Sequence, residues 1–213
     1  MFDVAIANLT LQKIGADDQI ADPNEESHAG RTLRASWDLI RRIALRELTP
    51  TCAKRRAELA AREITTARPA IGWSNAFPLP ADCLRLLDVL SPYSIRADYR
   101  LIGADDEAGN PTLGEILADT DGPVGIEYVK DLVEPARWDP LFAQSFADRL
   151  GCQIADRITC DLARVGRCQR DYDAARKAAG GADSKEQPPI AFEDSSWLTA
   201  RFGGGGDGRV SNV

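Results

Sequence analysis

Three observations predict a mainly α fold: a helical bundle with an inserted small antiparallel β-sheet domain and an extended C-terminal tail. Apolar residues recur at helical spacing towards both ends of the chain, a proline-rich middle breaks that spacing, and a glycine-rich end lacks a core of its own. The 213 residues are 44% hydrophobic and 28% charged, which suits one packed domain, or one domain with a sizeable insertion, and excludes global disorder.

Residues 4–14 place Ile6, Leu9, Ile14 and several alanines at near-helical spacing, and Gly15 stops the run. Asp17-Asp18 and Asp22-Pro23-Asn24 mark a loop, after which Ser27 is a plausible cap. Leu33, Trp37, Ile40, Ala44 and Leu48 then form one apolar stripe on a long helix that Pro50 breaks. Residues 54–64 resume a helical pattern around Ala57, Leu59 and Ala61. From Thr65 the texture changes, because Pro69, Gly72, Pro78 and Pro80 forbid a helix. Residues 84–90 are a short apolar run, and 94–102, 115–118 and 124–129 read as strands, with Asp121-Gly122-Pro123 as a turn between the last two.

Helix returns with Asp139 as cap and Pro140 in the first turn. Phe142, Phe146, Leu150, Ile154, Ile158 and Leu162 recur every four residues, in a pattern that extends to Ala179 with an interruption near Gly166 and an end at Gly180-Gly181. The predicted divisions are 1–66 for the N-terminal helices of the bundle, 67–136 for the β-rich domain, 137–182 for the C-terminal helices and 183–213 for the extended tail. Within that tail Phe192, Trp197 and Phe202 are isolated large apolar residues.

A net charge of −7 argues against a whole-chain nucleic-acid binder. No apolar run approaches the roughly 18 residues of a membrane span, and the first residues lack the basic flank of a signal peptide. The cysteines Cys52, Cys83, Cys152, Cys160 and Cys168 are odd in number and form no tight pairs, so they read as small buried apolar residues in a reducing compartment. The last three repeat every eight residues, which on a helix rotates each by about 80° from the one before. Charge is unevenly placed. Residues 31–62 carry nine basic and three acidic side chains, a balance of +6, whereas 98–135 carry ten acidic and two basic, a balance of −8. These are either two solvated faces with ordinary salt bridges or the opposite poles of a subunit that associates head to tail.

Catalytic signals are sparse. His28 is the sole histidine, no Gly-x-Ser-x-Gly elbow, Walker loop or Gly-x-Gly-x-x-Gly occurs, and no Cys-x-x-Cys supports a zinc site. Asp105, Asp106, Glu107, Asp119 and Asp121 could hold a divalent ion, and the same carboxylates could serve a metal-dependent hydrolase. Their places in predicted turns favour local hydrogen bonding instead. Arg41, Arg42, Lys54, Arg55 and Arg56 could touch phosphates in a helical DNA-binding domain, but they interleave with aliphatic positions rather than exposed aromatics.

Several blocks carry a resemblance. They are Ala7-Asn8-Leu9-Thr10-Leu11-Gln12-Lys13-Ile14-Gly15-Ala16, Cys52-Ala53-Lys54-Arg55-Arg56-Ala57-Glu58-Leu59-Ala60, and Gly72-Trp73-Ser74-Asn75-Ala76-Phe77-Pro78-Leu79-Pro80-Ala81-Asp82-Cys83-Leu84-Arg85. Further along come Ile126-Glu127-Tyr128-Val129, Trp138-Asp139-Pro140-Leu141-Phe142 and Ser196-Trp197-Leu198-Thr199-Ala200-Arg201. Together, over nearly the whole chain, they resemble the tail tubular protein A family, the head-to-tail adaptors of short-tailed phages. Thr49-Pro50-Thr51-Cys52 departs from the aromatic stretch usual in that family, and the end after Arg201 diverges.

The resemblance implies a virion protein without enzymatic activity or cofactor, assembled in the bacterial host cytoplasm as a ring of twelve copies. The ring would join the portal protein above to the tail nozzle protein below, around a channel through which DNA passes without sequence-specific binding. A connector of a long-tailed phage or gene-transfer particle would do the same work. On this expectation Trp197, Leu198, Arg201 and Phe202 dock on the portal. Arg41, Arg42, Lys54, Arg55, Arg56, Asp105, Asp106 and Glu107 are the subunit-interface candidates.

Overall fold

A computed structural model describes residues 2–64, 70–90, 98–103, 114–120 and 122–186. The first helix, α1, spans Val4–Lys13, and the Asp3 carboxylate caps it by accepting from the Ile6 N–H at 3.1 Å. It closes at Gly15, whose φ of +69° only glycine adopts without strain. The N–H groups of Gly15 and Ala16 donate back to the carbonyls of Gln12 and Leu11, each at 3.0 Å.

Helix α2 (His28–Leu48) starts at Ser27, whose hydroxyl accepts from the Gly30 N–H at 3.1 Å. The predicted stripe is buried at Leu33, Trp37, Ile40 and Ala44 and half-buried at Leu48. Helix α3 (Pro140–Thr159) begins as predicted, with the Asp139 carboxylate accepting from Leu141 N–H at 2.8 Å. Trp37, Trp138, Phe142 and Phe146 form an edge-on aromatic cluster, with ring centroids 4.8 Å apart for Trp37–Phe146 and 5.0 Å for Trp138–Phe146. The Trp138 indole N–H donates to the Leu132 carbonyl at 3.1 Å, so the ring is buried without an orphaned donor.

The break after α3 falls at Cys160, in the left-handed region at φ +50°, rather than near Gly166. Asp161 then accepts from the Arg164 N–H at 3.4 Å and starts α4 (Leu162–Glu186). Gly180-Gly181 lie inside α4 instead of ending it, since a helix absorbs each glycine at a cost of about 1 kcal/mol.

The predicted helix over 54–64 is instead strand β1 (Lys54–Leu59). Thr49 in the left-handed region and the 3₁₀ turn Thr51–Ala53 turn the chain out of α2. Ala57 and Leu59 are two apart, so the spacing that suited one helix face also suits one strand face, and a pairing partner decides between them. That partner is β6 (Val124–Lys130), antiparallel from Lys54↔Val129 to Leu59↔Val124. The remaining strands are β2 (Asn75–Pro78), β3 (Cys83–Leu90), β4 (Tyr99–Ile102) and β5 (Glu115–Ala118). They make two antiparallel sheets ordered β1-β6-β3 and β2-β5-β4.

The sheets share a core of Leu59, Phe77, Cys83, Val89, Ile116, Val124, Ile126 and Tyr128, drawn from both. A β-bridge between Arg62 and Ala76 ties the segment after β1 to β2. The other face of β5 is covered too, with Leu117 packed on Ala70 and Ala76. Helices account for 47% of the described residues, and six strands with their own core account for much of the rest. The fold is therefore mixed α/β, which corrects the expectation of a mainly α helical bundle with a small insertion. The two parts are continuous, because Ala53, Leu84, Val129 and Leu132 belong to the helical core.

Phe77 is fully buried between the sheets, so Phe77→Ala should cost about 3–5 kcal/mol in urea unfolding. Leu39→Ala, at a side chain 64% exposed on α2, should change stability by less than about 0.5 kcal/mol.

Candidate functional site

The polar side chains singled out by the sequence converge on the seam between helices and sheets. Arg41 is 3% exposed; its guanidinium pairs with the Asp131 carboxylate just past β6, and its Nε lies 3.6 Å from Asp38. Arg42 reaches the other Asp131 oxygen at 3.7 Å. Arg46 donates to the Leu84 carbonyl at 3.1 Å, and Arg85 donates back to the Arg46 carbonyl at 3.1 Å. Asp82 completes the seam, accepting from the Tyr128 hydroxyl at 3.2 Å and facing Lys130 at 3.0 Å. Burial pushes the Asp82 carboxyl up, but the Lys130 and Tyr128 hydrogen bonds outweigh it and hold it below its ordinary value.

Within the sheets, Arg56 meets Glu127 at 3.0 Å across a β1–β6 register pair. Arg62 forks onto Glu115 with two bonds of 2.6 Å, and the Glu115 side chain is 3% exposed. That hydrogen bond, more than the burial opposing it, raises the Arg62 guanidinium above its ordinary value. The basic stretch 31–62 and the acidic stretch 98–135 thus meet inside one subunit: Arg41 and Arg42 on Asp131, Arg56 on Glu127, Arg62 on Glu115. These contacts fit the salt-bridge reading of the two charge blocks better than the opposite-pole reading.

The other interface candidates are scattered. Lys54 opens β1 half-buried, and Arg55 is exposed, with its guanidinium on the carbonyls of Cys52 at 3.0 Å and Lys54 at 2.6 Å. Asp119 is exposed and accepts from the Ser74 N–H at 2.7 Å, the local turn chemistry expected of it. Asp105, Asp106, Glu107 and Asp121, and the tail residues Trp197, Leu198, Arg201 and Phe202, lie outside the described residues. His28 is exposed, with Nε2 3.2 Å from the Arg157 carbonyl. Among the described residues no three His, Cys, Asp or Glu side chains gather as a metal site, and no helix is long and apolar enough to cross a membrane.

Two clusters escaped the sequence reading. Lys13 at the end of α1 pairs with Asp148 on α3, 8% exposed, at the wall of a cavity of about 300 Å³ between α1, α3 and α4. On α4, Tyr172 donates its hydroxyl to Glu47 at 2.7 Å while the Arg149 guanidinium lies 5.2 Å from its ring centre. Burial first, then the Glu47 bond, pushes the Tyr172 hydroxyl up. The signal available was a single polar residue at each helix position, which says nothing of its partner. Among the thiols, burial pushes Cys83 up to about 11 and Cys152 up to about 12. Cys160, by contrast, is exposed, which departs from the small-apolar reading.

No family model matches the chain, and no curated protein matches it.

Breaking the buried Arg62–Glu115 pair by Arg62→Ala should cost about 3–5 kcal/mol in chemical unfolding, because the buried Glu115 carboxylate loses the guanidinium that forks onto it. The double variant Arg62→Met/Glu115→Met should recover most of that loss. Cys83 also makes stability fall at alkaline pH. Between pH 9 and about 11 the unfolded thiol has lost its proton while the folded one keeps it, so the unfolded state binds fewer protons and gains as pH rises. The expected loss is about 2–3 kcal/mol across that window, and Cys83→Ala should remove that share of the slope in unfolding curves taken at successive pH values.

Proposed function

We propose that this chain is a structural head-to-tail adaptor of a short-tailed phage, a subunit of a twelve-membered ring between portal and tail nozzle around the DNA channel. The observation that carries the reading is where the resembling blocks fall. One block runs from within α1 past the turn at Gly15, and one carries β1 with the end of the 3₁₀ turn before it. The Leu-Pro-x-Asp-Cys-Leu-Arg block supplies Asp82, Cys83, Leu84 and Arg85 to the seam between helices and sheets. The Ile-Glu-Tyr-Val block lies in β6, and Trp138-Asp139-Pro140 starts α3. These blocks form one connected scaffold, in which a β module sits between two helical segments of the chain.

The described polar groups brace this scaffold rather than converge on a reacting centre, which suits a protein whose work is assembly. The five cations Arg41, Arg42, Lys54, Arg55 and Arg56 are divided between α2 and β1, and Arg41, Arg42 and Arg56 meet carboxylates, an arrangement unlike the open basic face that duplex DNA needs.

The test is to mix the full chain with its cognate portal oligomer and image the particles in negative stain. A ring of density added beneath the portal is expected, and deletion of residues 187–213 should abolish it while leaving the thermal midpoint of the free chain unchanged. Absence of binding at both low and moderate salt would overturn the adaptor reading. A lowered midpoint on deletion would instead assign the tail to the subunit's own packing.

A further inference from the structure

Helices α3 and α4 are joined by Cys160 and Asp161 alone and fold back on one another. Their register can be read from the cavity they wall with α1. Gln144, Asp148 and Gly151 step along α3 by 4 and 3, while Ala175, Asp171 and Cys168 step back along α4 by 4 and 3. The Arg149 guanidinium over the Tyr172 ring at 5.2 Å obeys the same register within a residue or two. That register sets Cys168 against Gly151 and Cys152 beside it, and the Arg149–Tyr172 contact brings Cys152 nearer still; the two thiols lie eight residues to either side of Cys160 at the turn. Both are half-buried free thiols, and Cys168 also reaches the edge of the helical core.

We propose that Cys152 and Cys168 are a cross-link site, a dithiol that closes into an intramolecular disulfide and pins α4 to α3 when a small disulfide such as glutathione disulfide reaches it. Cys168 lines the cavity and is the entry thiol. Its thiolate attacks one sulfur of glutathione disulfide, forming a mixed disulfide and releasing one glutathione thiolate. The Cys152 thiolate then attacks the Cys168 sulfur and releases the second glutathione. Two thiol protons pass to solvent or to the departing thiolates, and the two electrons end on the reduced glutathione pair.

The electrostatics agree with this placement. Burial raises Cys152 first, and the nearby Cys168 and Asp148 raise it further; Cys168 is raised by burial and then by Asp171. Both thiols are therefore held protonated near neutrality, so thiolate attack is slow there and closure speeds up as pH rises. Closure would tie down the helix from which residues 187–213 extend.

The experiment is oxidation of the folded full chain with glutathione disulfide at about pH 8.5, blocking of remaining thiols before unfolding, and tryptic peptide mass spectrometry without reductant. The expected product joins the peptide 150–157 to the peptide 168–170. It should persist in Cys160→Ser, and in Cys152→Ser it should give way to a glutathione mixed disulfide on Cys168. The link closes a loop of about 15 residues, so the thermal midpoint should rise by about 5–10 °C and return with dithiothreitol. Mixed disulfides without the 152–168 link, preferential linkage through Cys160, or a link that leaves the midpoint unmoved would each overturn the proposal.

Discussion

A buried guanidinium has to be matched by a carboxylate held in place, and Arg41 with Asp131 is where this structure meets that demand. The charge sits on α2 and its partner just beyond β6, so the ion pair fixes where β6 ends against the helices. That position sets the faces of the strand. Val124, Ile126 and Tyr128 enter the core between the sheets, whereas Val129 and Leu132 enter the helical core. A shift of one residue would turn Gly125, Glu127 and Val129 towards the core between the sheets instead. β6 is paired on both sides, by β1 and by β3, so a displacement there would propagate through the whole first sheet.

The same seam explains why the two charge blocks are a poor guide to surface character. Counting along the chain separates a basic stretch from an acidic one, but antiparallel pairing of β1 with β6 lays the two side by side. Arg56 finds Glu127 because they are register partners, and Arg62 finds Glu115 because the segment after β1 bridges to β2, the neighbour of β5. Exposed pairs such as Arg56–Glu127 contribute little to stability, whereas Arg62–Glu115 is desolvated and bidentate and therefore fixes how the sheets meet.

What was legible in the sequence was local. Ser27 and Asp139 cap helices through bonds to residues two or three positions away. The stripes of α2 and α3 announced their buried faces, and β5 was read with its observed limits. What was not legible depended on a distant partner. Ala57 and Leu59 fit either period until β6 is alongside. β2 holds two prolines within or just beyond it, which weigh against a strand; it is tolerated at an edge, where one ladder suffices. The stop at Cys160 is hidden because the every-four-residue pattern continues through Leu162, with the capping Asp161 inside that pattern. Of the candidate site, Arg41, Arg42 and Arg56 meet carboxylates of the same subunit, while the Lys13–Asp148 pair joins two helices and the Glu47–Arg149–Tyr172 cluster three, so neither exists until those helices are placed.

A motif that occupies the seam is constrained by the fold itself, since Asp82, Cys83, Leu84 and Arg85 each hold a contact inside the subunit. Such residues orient the β module on the helices, and a neighbour would feel them only through that orientation. On the adaptor reading, partner contacts then fall to side chains the fold leaves unused. Leu39, Ile71 and Val133 are apolar and more than half exposed, and the Trp-Leu-Thr-Ala-Arg block lies beyond α4. Rigidity at the seam and recognition away from it are complementary requirements for a ring subunit: a scaffold braced by buried ion pairs presents its surfaces at fixed angles, and closure of a ring demands fixed angles.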